Sequence, residues 1–175
     1  PAPNTIALFL YTNGLDYVEE KTKLAVDELD RTAAECGVFA HDVMICGSSL
    51  GAYPAMHAAI YCKEDFGITV PCVLSLDAGS DWQETEYTLS REECLKTAQL
   101  GTQFYLFESP FVGMDRAPIR EMVLTGNDVT IVGCVYDQHE RISFDALGMG
   151  VIDWALGDRS EPYVSDIYSF NRLAP

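Results

Sequence analysis

The chain has 175 residues, is 48% hydrophobic and 22% charged, and carries a net charge of −16. This length fits one domain with a sizeable apolar core, and the negative charge argues against nucleic acid or anionic membrane surfaces as partners. No apolar run is long enough to predict a membrane span. The six cysteines show no Cys-x-x-Cys spacing, which argues against a zinc site and predicts free thiols in a cytoplasmic protein.

Strand-like and helix-like segments alternate along the first half of the chain. A continuous apolar run at residues 5–11 predicts a strand that is covered on both faces. The next segment predicts an amphipathic helix that ends at Gly37, with an apolar stripe formed by Leu24, Ala25, Leu29, Ala33 and Cys36. Residues 42–46 predict the second strand, and the helix after it carries one apolar face formed by Ala52, Met56, Ala59 and Ile60.

The second half continues the same alternation. Three more strands are predicted, at residues 68–76, 103–107 and 129–135. Pro71 must then lie where the sheet needs no N–H group. Three helices are predicted: one that a capping box opens at Ser90 and Gly101 closes, one at residues 118–124, and one that spans 144–155.

This alternation predicts an α/β fold with a mostly parallel sheet of about five strands flanked by helices. We expect a single domain at residues 1–157 and a C-terminal tail at residues 158–175, which lies on the surface or reaches a partner. Ligands of such sheets bind at the carboxyl ends of the strands. The residues that follow predicted strand ends include Ser49, Asp77, Glu108, Asp115 and His139.

The segment at residues 47–51 has the sequence Gly-Ser-Ser-Leu-Gly and fits the pattern G-x-S-x-G. A predicted strand precedes it and a predicted helix follows it, which is the context that the pattern requires of a nucleophilic serine. The glycine spacing centres on Ser49, and Ser48 is the weaker candidate. Both flanking positions are expected to come close to neighbouring backbone, where glycine removes the Cβ that would clash. The alternative is a glycine-bounded turn whose serine only caps the helix.

This arrangement resembles the nucleophile elbow of the α/β-hydrolase superfamily. The resemblance implies a Ser–acid–His triad in that chain order, with acyl transfer that needs no metal and no organic cofactor. Residues 139–156 resemble the C-terminal end of such a protein, where the catalytic histidine follows the last strand and precedes a closing helix that bears a tryptophan. His139 is therefore the expected general base, because His41 precedes its strand and His57 lies two turns into the helix after the serine.

The resemblance leaves three candidates for the acid. Asp115 is similar to the family's aspartate-then-proline pattern, Glu108 lies nearer the strand end, and Asp77 follows the preceding strand. For the oxyanion hole, the resemblance implies the N–H of Leu50, the residue after the nucleophile. The loop that contains Asn13 is expected to supply the second donor.

We expect a serine hydrolase that cleaves a small ester or thioester substrate through an acyl-enzyme, or an acyltransferase with the same machinery. The family usually has further strands before the elbow, so the expectation for this chain is a minimal version, a fragment, or a domain whose sheet another subunit completes. The alternative is a non-catalytic interaction or scaffolding domain, which the short N-terminal half and the unassigned tail favour. No G-x-G-x-x-G follows the first predicted strand, which argues against a dinucleotide-binding domain.

Overall fold

A computed structural model describes residues 18–37, 44–48, 51–76, 89–108, 116–135, 150–157, 161, 163–164 and 166–174. The predicted strand at residues 5–11 lies outside these ranges. In the described ranges, the helices are α1 (Val18–Glu35), α2 (Ala52–Phe66), α3 (Arg91–Leu100), α4 (Arg116–Leu124) and α5 (Val151–Leu156). The strands there are β1 (Met44–Ser48), β2 (Cys72–Leu76), β3 (Gln103–Glu108), β4 (Asp128–Cys134) and β5 (Tyr168–Arg172).

The strands form one sheet in the order β1-β2-β3-β4-β5, so each strand lies beside the next one in the chain. β1 to β4 are parallel, and β5 runs antiparallel to β4. One row of the register across the four parallel strands contains Gly47, Ser75, Leu106 and Ile131. The predicted α/β class and the mostly parallel sheet are therefore confirmed.

Side chains alternate between the two faces of the sheet, and each face has its own core. On one face, α1 to α4 cover buried strand residues that include Val73, Phe104, Leu106 and Val129. On the other face, α5 covers buried strand residues that include Leu74, Leu76, Phe107 and Val132. Burial on both faces explains the near-continuous apolar runs in β2 and β3.

The predicted start and end of α3 are both confirmed. The Ser90 N–H donates to the Glu93 carboxylate at 2.8 Å, and the Glu93 N–H donates to the Ser90 hydroxyl at 3.3 Å. This capping box satisfies two backbone donors that the helix itself cannot use. At the other end, Gly101 adopts the left-handed conformation with φ of 70°, which glycine tolerates without a steric cost.

A buried polar network joins α3 to the turn between α4 and β4. The Asn127 amide donates to the Cys94 carbonyl oxygen at 2.8 Å and to the Met122 carbonyl oxygen at 3.1 Å. The Thr97 hydroxyl donates to Asn127 Oδ1 at 2.7 Å. Both side chains are buried. Since the Asn127 amide bonds groups on both α3 and α4, it fixes the position at which the chain enters β4.

The predicted closing helix packs against the sheet through an aromatic contact. The Trp154 ring on α5 lies edge-on to Tyr105 of β3, with 5.2 Å between the ring centroids. The Phe170 ring of β5 lies 5.4 Å from the same tryptophan. The Trp154 indole N–H donates to the Glu161 carbonyl oxygen at 2.9 Å. The amphipathic tryptophan thus joins α5, β3 and β5 while its polar atom keeps a partner.

The buried stripe of α1 differs from the prediction. Val26 and Ala33 are buried, whereas Leu24 is 60% exposed and Cys36 is exposed. Positions two residues apart on a helix lie about 200° apart around its axis, so burying Val26 against α2 turns Leu24 toward solvent. The predicted face of α2 is confirmed, because Ala52, Met56, Ala59 and Ile60 are all buried.

The prediction of a strand at residues 68–76 is wrong at its start. The pairing with β1 begins at Cys72, and residues 68–71 are not part of the sheet. Pro71 has no N–H to donate, so a ladder that needs donors begins after it. The Pro71 carbonyl oxygen still accepts the Gln103 N–H at 3.0 Å, where β3 begins.

The expectation of a surface tail at residues 158–175 is also corrected, because this segment supplies β5. Tyr168 and Phe170 alternate with Ser169 and Asn171, and the two rings pack into the core beneath α5. Arg172 donates two hydrogen bonds to the Asp128 carboxylate, at 2.9 and 2.7 Å, which ties β5 to the start of β4. Residues 166–172 therefore belong to the domain.

Candidate active site

The carboxyl ends of the four parallel strands meet at one edge of the sheet. Their last residues are Ser48, Leu76, Glu108 and Cys134. Ser48 is in register with Leu76, and Leu76 is in register with Phe107, so β1 to β3 end within one residue of each other. The segments expected to carry the catalytic residues leave the sheet from this edge.

The turn between β1 and α2 has no room for a side chain at Gly47. A Cβ atom at this position would overlap the Gly51 carbonyl oxygen and lie 2.6 Å from the Ala55 Cβ. Real Cβ atoms essentially never approach other atoms this closely. The backbone at the start of α2 thus lies directly against the end of β1, and the predicted need for glycine before the serine is confirmed here.

The second glycine of the pattern behaves differently. A Cβ at Gly51 would meet no atom of the described residues within 4 Å, and Gly51 has helical dihedral angles, with φ of −72° and ψ of −12°. The expectation that both flanking glycines allow a close backbone approach therefore holds for Gly47 alone within the described part of the chain. Gly51 is the N-cap residue of α2.

The N-terminus of α2 has no side-chain cap. Among the described residues no side chain caps its first N–H groups, and its first turn contains no acidic residue. Pro54 lies in this turn and has no N–H, a position where proline is tolerated because the first N–H groups have no helical partner. The N–H groups that remain in the first turn point along the helix axis, away from the helix body and toward the turn after β1.

One of the predicted site residues lies within the described ranges. Glu108 is the last residue of β3, is half-buried, and by strand alternation shares the face of the sheet on which α2 packs. The other predicted site residues lie outside these ranges: Ser49, Leu50, Asn13, Asp77, Asp115 and His139. Their roles stay predictions.

His57 is engaged by a neighbouring helix. Its Nδ1 lies 3.1 Å from the Glu93 carboxylate of α3, and the imidazole is 13% exposed. Burial alone would raise the pKa of Glu93, but hydrogen bonds from Ser90 and the nearby imidazole lower it below its ordinary value. The pair links α2 to α3. His41 lies outside the described ranges.

The sequence reasoning missed a buried hydroxyl beside the turn. Ser75 is fully buried in β2, directly next to Gly47 in the register, and its Oγ has no hydrogen-bond partner among the described residues. A buried hydroxyl without a partner costs stability of about 1–3 kcal/mol. The only signal for it in the sequence is a serine inside the apolar run Cys-Val-Leu-Ser-Leu.

The cysteines do not offer a ready nucleophile. All six are free thiols, and four of them are buried: Cys62, Cys72, Cys94 and Cys134. Burial raises the pKa of Cys62 and of Cys94 to about 11, and desolvation raises the pKa of Cys46 to about 12. Cys46 is nonetheless exposed on the first strand of the described sheet. These three thiols remain protonated at neutral pH, and a protonated thiol is a poor nucleophile.

Within the described ranges, no three side chains of histidine, cysteine, aspartate or glutamate are grouped so as to hold a metal ion. Nor does any described helix combine the length and apolar character that a membrane span requires. Comparison of the chain with models of protein families, with curated proteins and with solved structures gave no match.

Proposed function

We propose that this protein is a serine hydrolase of the α/β-hydrolase type that cleaves a carboxyl ester or thioester. The observation that carries the proposal is the contact between Gly47 and the start of α2, where a Cβ would overlap the Gly51 carbonyl oxygen. Two residues, Ser49 and Leu50, separate the end of β1 from the N-cap of α2. A serine in so short a connection stands at the carboxyl edge of the sheet, as nucleophilic catalysis requires.

In this proposal, the Ser49 hydroxyl attacks the substrate carbonyl while His139 takes its proton. The alcohol or thiol then leaves with that proton, and a water molecule, activated by the same imidazole, releases the acid from the acyl-enzyme. The negative charge on the tetrahedral carbonyl oxygen is stabilised by the Leu50 N–H and by the N-terminus of α2, with the segment of Asn13 as the second donor. An alcohol or amine in place of water would make the protein an acyltransferase.

The spacing of the strands is compatible with this assignment. Neighbouring strands lie about 4.8 Å apart, so β4 lies roughly 14 Å from β1. His139 follows Cys134, the last residue of β4, by five residues. Five residues of extended chain span at most about 17 Å, which is enough for His139 to reach the side of the site where Ser49 is expected.

Three carboxylates compete for the role of orienting His139. Glu108 ends β3, two strands from β1, and is half-buried at the carboxyl edge. Asp115 follows Glu108 by seven residues, and Asp77 follows the last residue of β2 directly. We retain Asp115 as the first candidate, on its similarity to the family pattern, with Glu108 and Asp77 as the alternatives.

The test is covalent labelling of the folded protein with a fluorophosphonate probe, which reacts with activated serines. We expect labelling of the wild type, loss of labelling in Ser49→Ala, and retention in Ser48→Ala. Ser48 is a suitable control because it is the adjacent serine but belongs to β1. The reverse result would make Ser48 the nucleophile, and no labelling of the folded wild type would favour the interaction or scaffolding domain, with another subunit beside the sheet.

A further inference from the structure

An apolar groove lies between the outer side of α4 and the end of β5. It is open to solvent, has a volume of about 490 Å³, and is lined by Ile119, Arg120, Val123 and Leu124 of α4, Ile131 of β4, and Leu173. Residues 119, 120, 123 and 124 lie one turn apart, so they form a single face of α4. This volume falls within the range of small-molecule sites.

The groove forms at the edge of the fold, where the described helices on this face stop at α4 but the sheet continues to β5. α4 packs over β3 and β4, and in the described part of the chain no helix covers the same face of β5, where Ser169 and Asn171 are exposed. Ile119 and Val123 are buried at the floor, whereas Leu124 is 58% exposed at the rim. An apolar ligand in the groove would therefore pack against Ile119 and Val123, which belong to the hydrophobic core.

Arg120 is the one charged residue among the described residues that line the groove, and it is exposed. Of the seven lysine and arginine side chains that the structure describes, it alone makes no hydrogen bond or ion pair with a described residue. The partnered six are Lys23, Arg31, Lys63, Arg91, Lys96 and Arg172. In a chain of net charge −16, an arginine without an acidic partner is unusual.

Among the acids whose side chains the structure describes, the two nearest to Arg120 along the chain are already engaged. Glu121 accepts a hydrogen bond from Arg91 of α3. Asp128 accepts two hydrogen bonds from Arg172. The guanidinium therefore keeps its donors for a ligand, and a planar arginine pairs with a carboxylate through two parallel hydrogen bonds.

We propose that this groove binds a medium-chain monocarboxylate, with the alkyl chain along α4 and Leu173 and the carboxylate on Arg120. A monoanion fits better than a dianion, because one arginine must offset the repulsion of a strongly acidic protein. The site is separate from the proposed active site. The Leu173 N–H donates to the Val129 carbonyl oxygen, near the amino end of β4, whereas Ser49 follows the carboxyl end of β1.

The test is titration of the full chain with octanoate, decanoate and dodecanoate below their micelle concentrations, followed by calorimetry or by the carboxyl carbon resonance of labelled decanoate. Each added methylene should raise the affinity by about twofold if the alkyl chain is half-buried, and by about fourfold if it is fully buried. Decanol should bind more weakly than decanoate, and decyltrimethylammonium should bind more weakly still.

Two pairs of variants locate the site. Arg120→Gln should weaken the binding of decanoate by about fivefold and leave the affinity for decanol unchanged. The control Arg31→Gln on α1 should change neither affinity. Leu124→Gln should weaken the binding of both ligands, whereas Leu24→Gln should weaken the binding of neither. The two leucines are matched in exposure, at 58% for Leu124 and 60% for Leu24. All four positions are exposed, so the variants should stay folded, as circular dichroism will verify.

The proposal is overturned by an absence of saturable decanoate binding to the folded protein. It is equally overturned if decyltrimethylammonium binds as tightly as decanoate, or if Leu24→Gln weakens binding as much as Leu124→Gln.

Discussion

Replacing Gly47 with alanine tests the tight turn on which the proposed function depends. The added Cβ would lie 2.6 Å from the Ala55 Cβ and 2.7 Å from the Gly51 carbonyl carbon, whereas ordinary contacts begin at 3.4 Å. The overlap with the Gly51 carbonyl oxygen is closer still, so α2 must move away from β1 by at least about an ångström. Overpacking of this kind costs about 1–3 kcal/mol, because neighbouring groups leave their preferred positions.

The matched control is Gly51→Ala, which adds the same atom four residues later. A Cβ there meets no described atom within 4 Å, and the backbone is already helical. Alanine is a weaker N-cap than glycine, which lowers stability, but it also reduces the entropy of the unfolded chain, which raises stability. We therefore expect the free energy of unfolding to stay within about 0.5 kcal/mol of the wild type.

Urea denaturation should show the difference between the two variants in the free energy of unfolding. Fluorophosphonate labelling of Gly47→Ala, under conditions where it is folded, should be slowed by at least an order of magnitude, since the shift of α2 displaces the oxyanion donors. Equal stability and equal labelling rates in the two alanine variants would refute the reasoning that Gly47 sets the geometry of the turn.

Two further predictions concern the acid and the buried network. Among Asp115→Asn, Glu108→Gln and Asp77→Asn, one should lose on the order of ten-thousandfold in the hydrolysis of a small aryl ester at neutral pH, while the other two stay near the wild type. We expect the damaged variant to be Asp115→Asn, and similar small losses in all three would mean that His139 has no dedicated carboxylate. Asn127→Ala should lower the free energy of unfolding by about 2–3 kcal/mol, because it removes buried hydrogen bonds to Cys94 and Thr97. The control Thr97→Val removes one hydroxyl and should cost about 1 kcal/mol, and an equal loss in both variants would contradict the central role of the amide.

Features of the fold that depend on residues close to each other along the chain could be predicted from the sequence. The capping box at Ser90, the end of α3 at Gly101 and the buried face of α2 each arise from residues within one or two turns of each other. β5 could not be predicted with the same ease. It has five residues with two apolar side chains, Tyr168 and Phe170, and its partner β4 lies more than thirty residues earlier in the chain.

The candidate site likewise has features that could be predicted from the sequence and features that could not. The spacing of the pattern indicated Gly47 correctly, because the clash of a side chain there arises within the segment itself. The apolar run around Ser75 indicates burial, but no pattern could reveal that its hydroxyl has no hydrogen-bond partner among the described residues, or that Arg120 has none there. Both facts depend on which residues the folded chain brings near, and a serine or an arginine in a sequence gives no measure of its surroundings.

The neighbour-by-neighbour order of the sheet has a consequence for how the chain acquires its fold during synthesis. Since each strand from β2 to β4 pairs with the described strand made just before it, the growing polypeptide can add βα units one at a time, without waiting for distant segments. β5 emerges after the other described strands, and until then the outer ladder of β4 is free to pair with a foreign strand. The nascent protein is therefore most prone to aggregation in the interval before residues 168–172 leave the ribosome.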